Sequence, residues 1–170
     1  MPITKIKGFT LFELMVTIAV FAILAGIAVP SFRSLGEKSA MQGATNSLVA
    51  ALQFARTQAV ERDRTFLLCS SKDQTNCNGN WSNGWIVRLA HGTGGVVRAH
   101  KRNSAKQIQI SWNGASDNVS FDPNGFSRHN SCNTGSKVGC YFTISAKHDP
   151  RIICISLAVT GRIRTVKGPK

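Results

Sequence analysis

The sequence predicts an α+β protein in which one long amino-terminal helix precedes a set of antiparallel strands. Three observations predict it. Residues Phe9 to Val29 form an apolar run interrupted by a single charge, Glu13. Helical periodicity resumes beyond Pro30, and after Asp63 the texture changes to short β-like runs separated by turn residues. Helix first and strands afterwards is the pattern of an α+β fold rather than of alternating βαβ units.

The apolar run is long enough to span a bilayer, because about 20 residues at 1.5 Å rise cover a hydrocarbon core of roughly 30 Å. Apolar residues then recur at Leu48, Val49, Leu52, Ala55, Ala59 and Val60, with Arg56, Gln58, Glu61 and Arg62 mostly toward water. That i, i+3, i+4, i+7 rhythm marks an amphipathic helix. Pro30 is expected to kink the helix without ending it. A single helix of about 50 residues, roughly 75 to 80 Å long, would therefore run from Phe9 to Arg62.

Strands are expected at Thr65 to Cys69, Gly84 to Leu89, Val96 to Ala99, Gln107 to Trp112, Val119 to Phe121, Tyr141 to Ile144 and Arg151 to Ala158, punctuated by Asn-Gly, Gly-Gly and Pro-Asn-Gly turns. Gln107 to Trp112 alternates cleanly, whereas Ile152 to Leu157 reads as buried on both faces. The expected architecture is therefore a helix whose second half packs on one or two small antiparallel sheets. At 170 residues, with much of its 42% hydrophobic content spent in the amino-terminal run, the chain has room for one modest globular domain.

Lys7-Gly8-Phe9-Thr10-Leu11-Phe12-Glu13-Leu14 resembles the class III signal of type IV pilins and pseudopilins. An ordinary secretory signal would place small residues after its apolar stretch; here Pro30 and Ser31 follow it, and the small residue Gly8 precedes it. The resemblance implies cleavage after Gly8 by a prepilin peptidase and methylation of the new amino-terminal Phe9. It divides the chain into a cleaved leader (1–8), a transmembrane or filament-core half-helix (9–30), an amphipathic half-helix (31–62) and a β-rich globular domain (63–170). It also implies a type IV pilin fold, in which Glu13 pairs with the freed amino terminus of a neighbouring subunit and sets filament register. A carboxylate within a membrane helix is costly and usually faces a partner, although Glu13 also lies near enough to the boundary to reach the headgroups.

Lys5 and Lys7 ahead of the span keep the leader cytoplasmic by the positive-inside rule and send the carboxyl-terminal domain across the membrane. The expected location is the bacterial inner membrane, single-pass with a periplasmic soluble domain, and then the extracellular pilus. Cysteines there are free to oxidise. Cys69 and Cys77, and Cys132 and Cys140, bracket two polar, turn-rich loops of equal length, while Cys154 lies in the apolar run Ile152 to Leu157. The reading is two local disulfide-closed hairpins, Cys69–Cys77 and Cys132–Cys140, with Cys154 free, though spacing alone leaves connectivity open. A zinc site is the competing reading, opposed by gaps longer than a Cys-x-x-Cys knuckle.

Leu52-Gln-Phe-Ala-Arg56-Thr-Gln-Ala59, the cysteine-terminated run to Cys69, Trp81-Ser-Asn-Gly84-Trp85 and Gly161-Arg162 together resemble the GspH/FimT branch of that superfamily. The branch contains minor pilins of type IV pili and minor pseudopilins of type II secretion. Its partners are other pilins, the prepilin peptidase and, before assembly, the inner membrane. Enzyme signatures are lacking: His91, His100, His129 and His148 have no metal-like spacing, and Gly92 to Gly95 reads as a hairpin turn rather than a phosphate loop. No cofactor, metal or small-molecule substrate is implied.

Charge carries the remaining information. The formal net is +13, of which Lys5 and Lys7 in the leader supply two. From Arg98 to Lys170 twelve Lys or Arg face three Asp. Such a surface suits a polyanion but is also compatible with a solvated basic face. Gly161-Arg162-Ile163-Arg164 sharpens the choice, because arginines two apart on a strand share one face at roughly 6.5 to 7 Å, close to the separation of adjacent backbone phosphates. The same segment matches the Gly-Arg-x-Arg element of FimT-like minor pilins, which implies sequence-independent double-stranded DNA binding for uptake in natural transformation. The implied phosphate contacts are Arg162 and Arg164, with Lys167 as a neighbour and Lys170, Arg151 and Lys147 as further candidates for the DNA-binding surface. The alternative is a GspH-like pseudopilin in which the arginine caps a sheet or meets a neighbouring subunit. Trp81, Trp85 and Trp112 read as core in preference to base-stacking platforms.

Overall fold

A computed structural model describes residues 8–91, 95–102, 108–114, 116–128 and 141–168. Among the described residues one helix, α1 (Leu11–Glu61), is followed by nine strands: β1 (Phe66–Ser70), β2 (Gly84–Leu89), β3 (Val96–Lys101), β4 (Ile108–Trp112), β5 (Asn118–Phe121), β6 (Ser127–Arg128), β7 (Tyr141–Ala146), β8 (Ile152–Leu157) and β9 (Ile163–Lys167). Residues 1–36 and 37–170 form two separate compact units.

In the first unit Thr10 caps the helix. Its hydroxyl accepts the Glu13 N–H at 3.3 Å and its carbonyl accepts the Leu14 N–H at 3.2 Å. Thr10-Leu-Phe-Glu13 has the spacing of a capping box, with an acidic side chain in the first turn where the helix dipole favours it. Residues 8–24 are exposed without exception, and Leu11–Ala28 is long and apolar enough to cross a membrane. Pro30 lies inside α1 and does not end it, as expected of a residue that removes one ladder bond within a long helix.

In the second unit α1 buries Met41, Ala44, Leu48, Ala51, Leu52, Ala55 and Ala59 in a single core cluster. The i, i+3, i+4 spacing keeps these residues on one face. Against that face lie two antiparallel sheets, one ordered β3-β2-β1-β5-β6 and one ordered β4-β7-β8-β9. The first contributes Phe66, Leu68, Trp85, Val87, Val119 and Phe121, and the second Ile108, Ile110, Phe142, Ile144, Ile155 and Leu157. Trp81 meets Phe142 edge-on at 4.7 Å, and Trp112 lies 4.4 Å from the same ring while donating Nε1–H to the Ser116 carbonyl at 2.8 Å. The ring of Trp85 stacks on His100 at 4.5 Å. Trp81 and Trp85 are buried and Trp112 is half-buried, so the tryptophans serve the core.

Two strands escape the sequence pattern. β6 is two residues long, too short to show alternation, and β9, with four of its five residues exposed, interleaves charge with only two apolar side chains. The run Ile152 to Leu157, expected to be buried on both faces, is interior, between β7 and β9, but neither face is buried throughout: Ile152, Ile153 and Ser156 are half-buried.

Cys69 and Cys77 are joined in a disulfide. Inside that loop the Asp73 carboxylate accepts the backbone N–H groups of Thr75 and Asn76, both at 2.9 Å, and the side-chain amides of Asn76 and Asn78. These bonds hold its carboxyl far below the usual range. Cys154 is a free, buried thiol whose burial pushes its pKa up. Cys132 and Cys140 lie outside the described residues.

Candidate nucleic-acid interface

The Gly161–Arg164 segment begins as a tight turn between β8 and β9. Gly161 N–H donates to the Ala158 carbonyl at 2.8 Å, and Ala158 N–H donates to the Arg162 carbonyl at 2.9 Å. Gly161 has φ +76°, and a Cβ placed there would lie 2.1 Å from the Gly125 carbonyl oxygen and 2.8 Å from Arg56 Nε. Conformation and space therefore both demand glycine.

Arg56, on the buried side of α1, explains the crowding. Its Nε donates to the Gly125 carbonyl at 3.0 Å and its Nη2 to the Thr160 carbonyl at 3.3 Å. One guanidinium thus ties the β5–β6 turn to the β8–β9 turn. Ser127 adds two more ties, donating its N–H to the Val159 carbonyl at 2.8 Å and its hydroxyl to the Ala158 carbonyl at 2.7 Å. Since hydrogen bonds from charged donors contribute about 1.5 to 3 kcal/mol each, Arg56→Ala is expected to lower the melting temperature by several degrees. Thermal unfolding followed by circular dichroism checks this; an unchanged midpoint would mean that the clamp is idle.

On that fixed turn the two arginines are exposed, and Ile163 between them is half-buried against the core. Register places Arg164 opposite Ser156 and Val166 opposite Cys154, on the sheet face turned away from Ile155 and Leu157. Arg162, two residues before Arg164, continues that outward side of the chain. Among the described residues neither guanidinium has an ion pair.

The other candidates do not join them. Lys167 pairs with Ile153 on the opposite, helix-facing side of the sheet, at the far end of β9. Lys147 and Arg151 flank the β7–β8 turn, roughly a strand length of 20 Å from Arg162. Arg151 is also engaged: its Nε lies 2.7 and 3.0 Å from the two oxygens of Asp149, and its Nη2 also reaches that carboxylate. These bonds hold the Asp149 carboxyl below its usual range, helped by Lys38. His148 in the same turn bonds Glu37 of α1 through Nδ1 at 2.8 Å. Lys170 lies outside the described residues.

A cation the sequence did not single out stands closer. Arg128, exposed on β6, follows Ser127, which is bonded to the same turn that carries Arg162. No local pattern marks it, because its proximity to residue 162 arises only when the edges of the two sheets meet.

Residues 44–161 match the family model described as Type II transport protein GspH, and residues 3–29 match the Prokaryotic N-terminal methylation motif. Fimbrial protein EcpC of Eikenella corrodens is 33% identical over 108 residues, covering 61% of this chain and 69% of that one. Two crystal forms of the type IV minor pilin FimU of Pseudomonas aeruginosa share the fold at 23% identity. The P65 form gives a TM-score of 0.51 over 74% of this chain and 91% of FimU. The P21 form gives 0.55 over 79% and 92%.

Proposed function

The chain belongs to the GspH family of minor pilins and pseudopilins, and from that membership we propose that it is a minor type IV pilin that binds DNA without sequence preference. It supports DNA uptake and pilus biogenesis. After cleavage behind Gly8 and methylation of Phe9, α1 holds the subunit in the inner membrane and then in the filament core, with Glu13 meeting the amino terminus of a neighbour. The globular domain stands in the periplasm before assembly and outside the cell afterwards.

One observation carries the DNA reading: Arg162 and Arg164 are both exposed on the outward side of a turn that Arg56 and Ser127 hold rigid. Arginine forks on a preorganised backbone lose little on binding phosphate, and nothing in the arrangement reads a base edge. A second reading, a pseudopilin of type II secretion, is favoured by the depth at which Gly161 itself is built into the core, since a Gly-Arg turn could serve the fold alone.

The two readings part in solution. Mature chain is expected to bind duplexes of unrelated sequence with similar affinity, and each neutralised phosphate should contribute about −0.9 to the slope of log K against log salt. Fluorescence anisotropy across a salt series measures both quantities. Absence of binding at low salt, or a strong preference among sequences, would overturn the DNA reading and leave the pseudopilin one.

A further inference from the structure

The β5–β6 turn beside the arginines has a feature that phosphate binding does not use. Asp122 builds it: Oδ1 accepts the backbone N–H groups of Asn124 and Phe126, both at 3.0 Å, while the Asp122 N–H donates to the Phe126 carbonyl at 3.0 Å. Gly125, at φ +76°, contributes the carbonyl that Arg56 grips and that a Cβ on Gly161 would strike. The backbones at 125 and 161 are therefore in contact, and the next residue of each turn is Phe126 on one side and Arg162 on the other.

Phe126 is 46% exposed on this rigid turn, in company with exposed Val159 and Val60. The Val159 carbonyl bonds Ser127, and a Val60 methyl lies 3.3 Å from where a Cβ on Gly125 would stand. Single exposed apolar side chains are ordinary, but three gathered around two glycine turns form a patch. Arg128 borders it with its side chain 74% exposed and its Nε 3.4 Å from Asp122 Oδ2. An aromatic ring on a stiff turn, two residues before Arg128 and on the turn whose backbone touches the one carrying Arg162, combines the two elements that hold single-stranded nucleic acid: cations for the backbone and a π face for a base. A duplex offers the same phosphates but keeps its base faces stacked inside.

We infer that the site extends onto this turn, with Phe126 as a stacking platform for an unpaired base and Arg128 as a third phosphate contact, so that it engages single-stranded DNA through a contact duplex cannot make. This rests on the phosphate-binding reading of Arg162 and Arg164. It adds a ligand class to that site rather than a second site.

The test uses the full mature chain in non-ionic detergent, with a labelled oligothymidylate and a mixed-sequence duplex as probes. Phe126→Ala is expected to weaken oligothymidylate binding about 5- to 150-fold, the range of one lost base–aromatic stack, while duplex affinity changes less than about 2-fold. Phe126→Tyr, which keeps the π face, should bind like the parent, and Phe126→Leu, which keeps only apolar bulk, should behave like Phe126→Ala. Arg128→Gln should weaken both probes and flatten the salt slope by about 0.7 for the single strand and about 0.9 for the duplex. Equal losses on both probes for Phe126→Ala, no loss on either, or full rescue by leucine would overturn the stacking contact. An unchanged slope for Arg128→Gln would remove the third phosphate contact. If the parent chain binds neither probe at low salt, the DNA reading itself falls, an outcome distinct from a parent that binds both and variants that bind alike.

Discussion

With arginine in place of Gly8, nearly all of the chain is expected to remain at precursor length in the inner membrane, its amino terminus unmethylated. The reason is local. In the proposed topology Lys5 and Lys7 keep the leader cytoplasmic, and cleavage at the Gly8-Phe9 junction would need a small residue there for the backbone to enter a protease cleft. Gly8 and Phe9 precede the first helical turn, and Thr10 caps it through the Glu13 N–H. Cutting after Gly8 would thus remove the leader without taking the cap, and the proposed mature chain would begin at Phe9, one residue before its own N-cap. A long cationic side chain at position 8 would obstruct such a cleft and leave the Thr10 cap untouched, so the blocked precursor should insert and fold normally. Intact-mass measurement of the membrane fraction reads the outcome directly; a mature, methylated Phe9 terminus in the variant would overturn the leader assignment.

How much of this was legible in the sequence depends on how far apart the interacting residues lie. α1 could be read almost to its ends, from Phe9 to Arg62 against the observed Leu11–Glu61, because its pattern repeats within a turn. β2 was legible residue for residue, since Gly84 opens it and its run is apolar. β9 was not, because four of its five residues are exposed and only Ile163 and Val166 are apolar, too few to show a buried face. The site divides in the same way. Arg162 and Arg164 sit in one motif and could be named, whereas Arg56 meets Gly125 across 69 residues and Thr160 across 104. Pro123-Asn-Gly125 announced a turn, but nothing in it announced that Phe126 and Arg128 would end beside residue 162. Lys167 and Arg151 illustrate the converse: nearness in sequence to a basic motif does not place a charge on the same face or at the same end of a strand.

The paired substitution Arg162→Gln with Arg164→Gln is expected to weaken duplex DNA binding by about two orders of magnitude near 0.1 M salt, for all sequences together, and to flatten the salt slope by about 2. Stability should hardly change. Both side chains are exposed, and the bonds that build the turn come from Gly161, Ala158, Ser127 and Arg56, none of which is altered. That separation makes the experiment decisive, because a structural Gly-Arg turn and a phosphate-binding one respond oppositely. Arg56→Ala should lower the melting temperature and blur the turn, costing affinity indirectly; the paired glutamines should leave the melting temperature in place and remove the affinity directly. Transformation frequency should then fall while pili are still assembled, since α1 and its junction are intact. A paired variant that melts like the parent and keeps its affinity and salt slope would exclude the two arginines as phosphate contacts, and the outward side of the turn would then be assigned to contact with a neighbouring subunit.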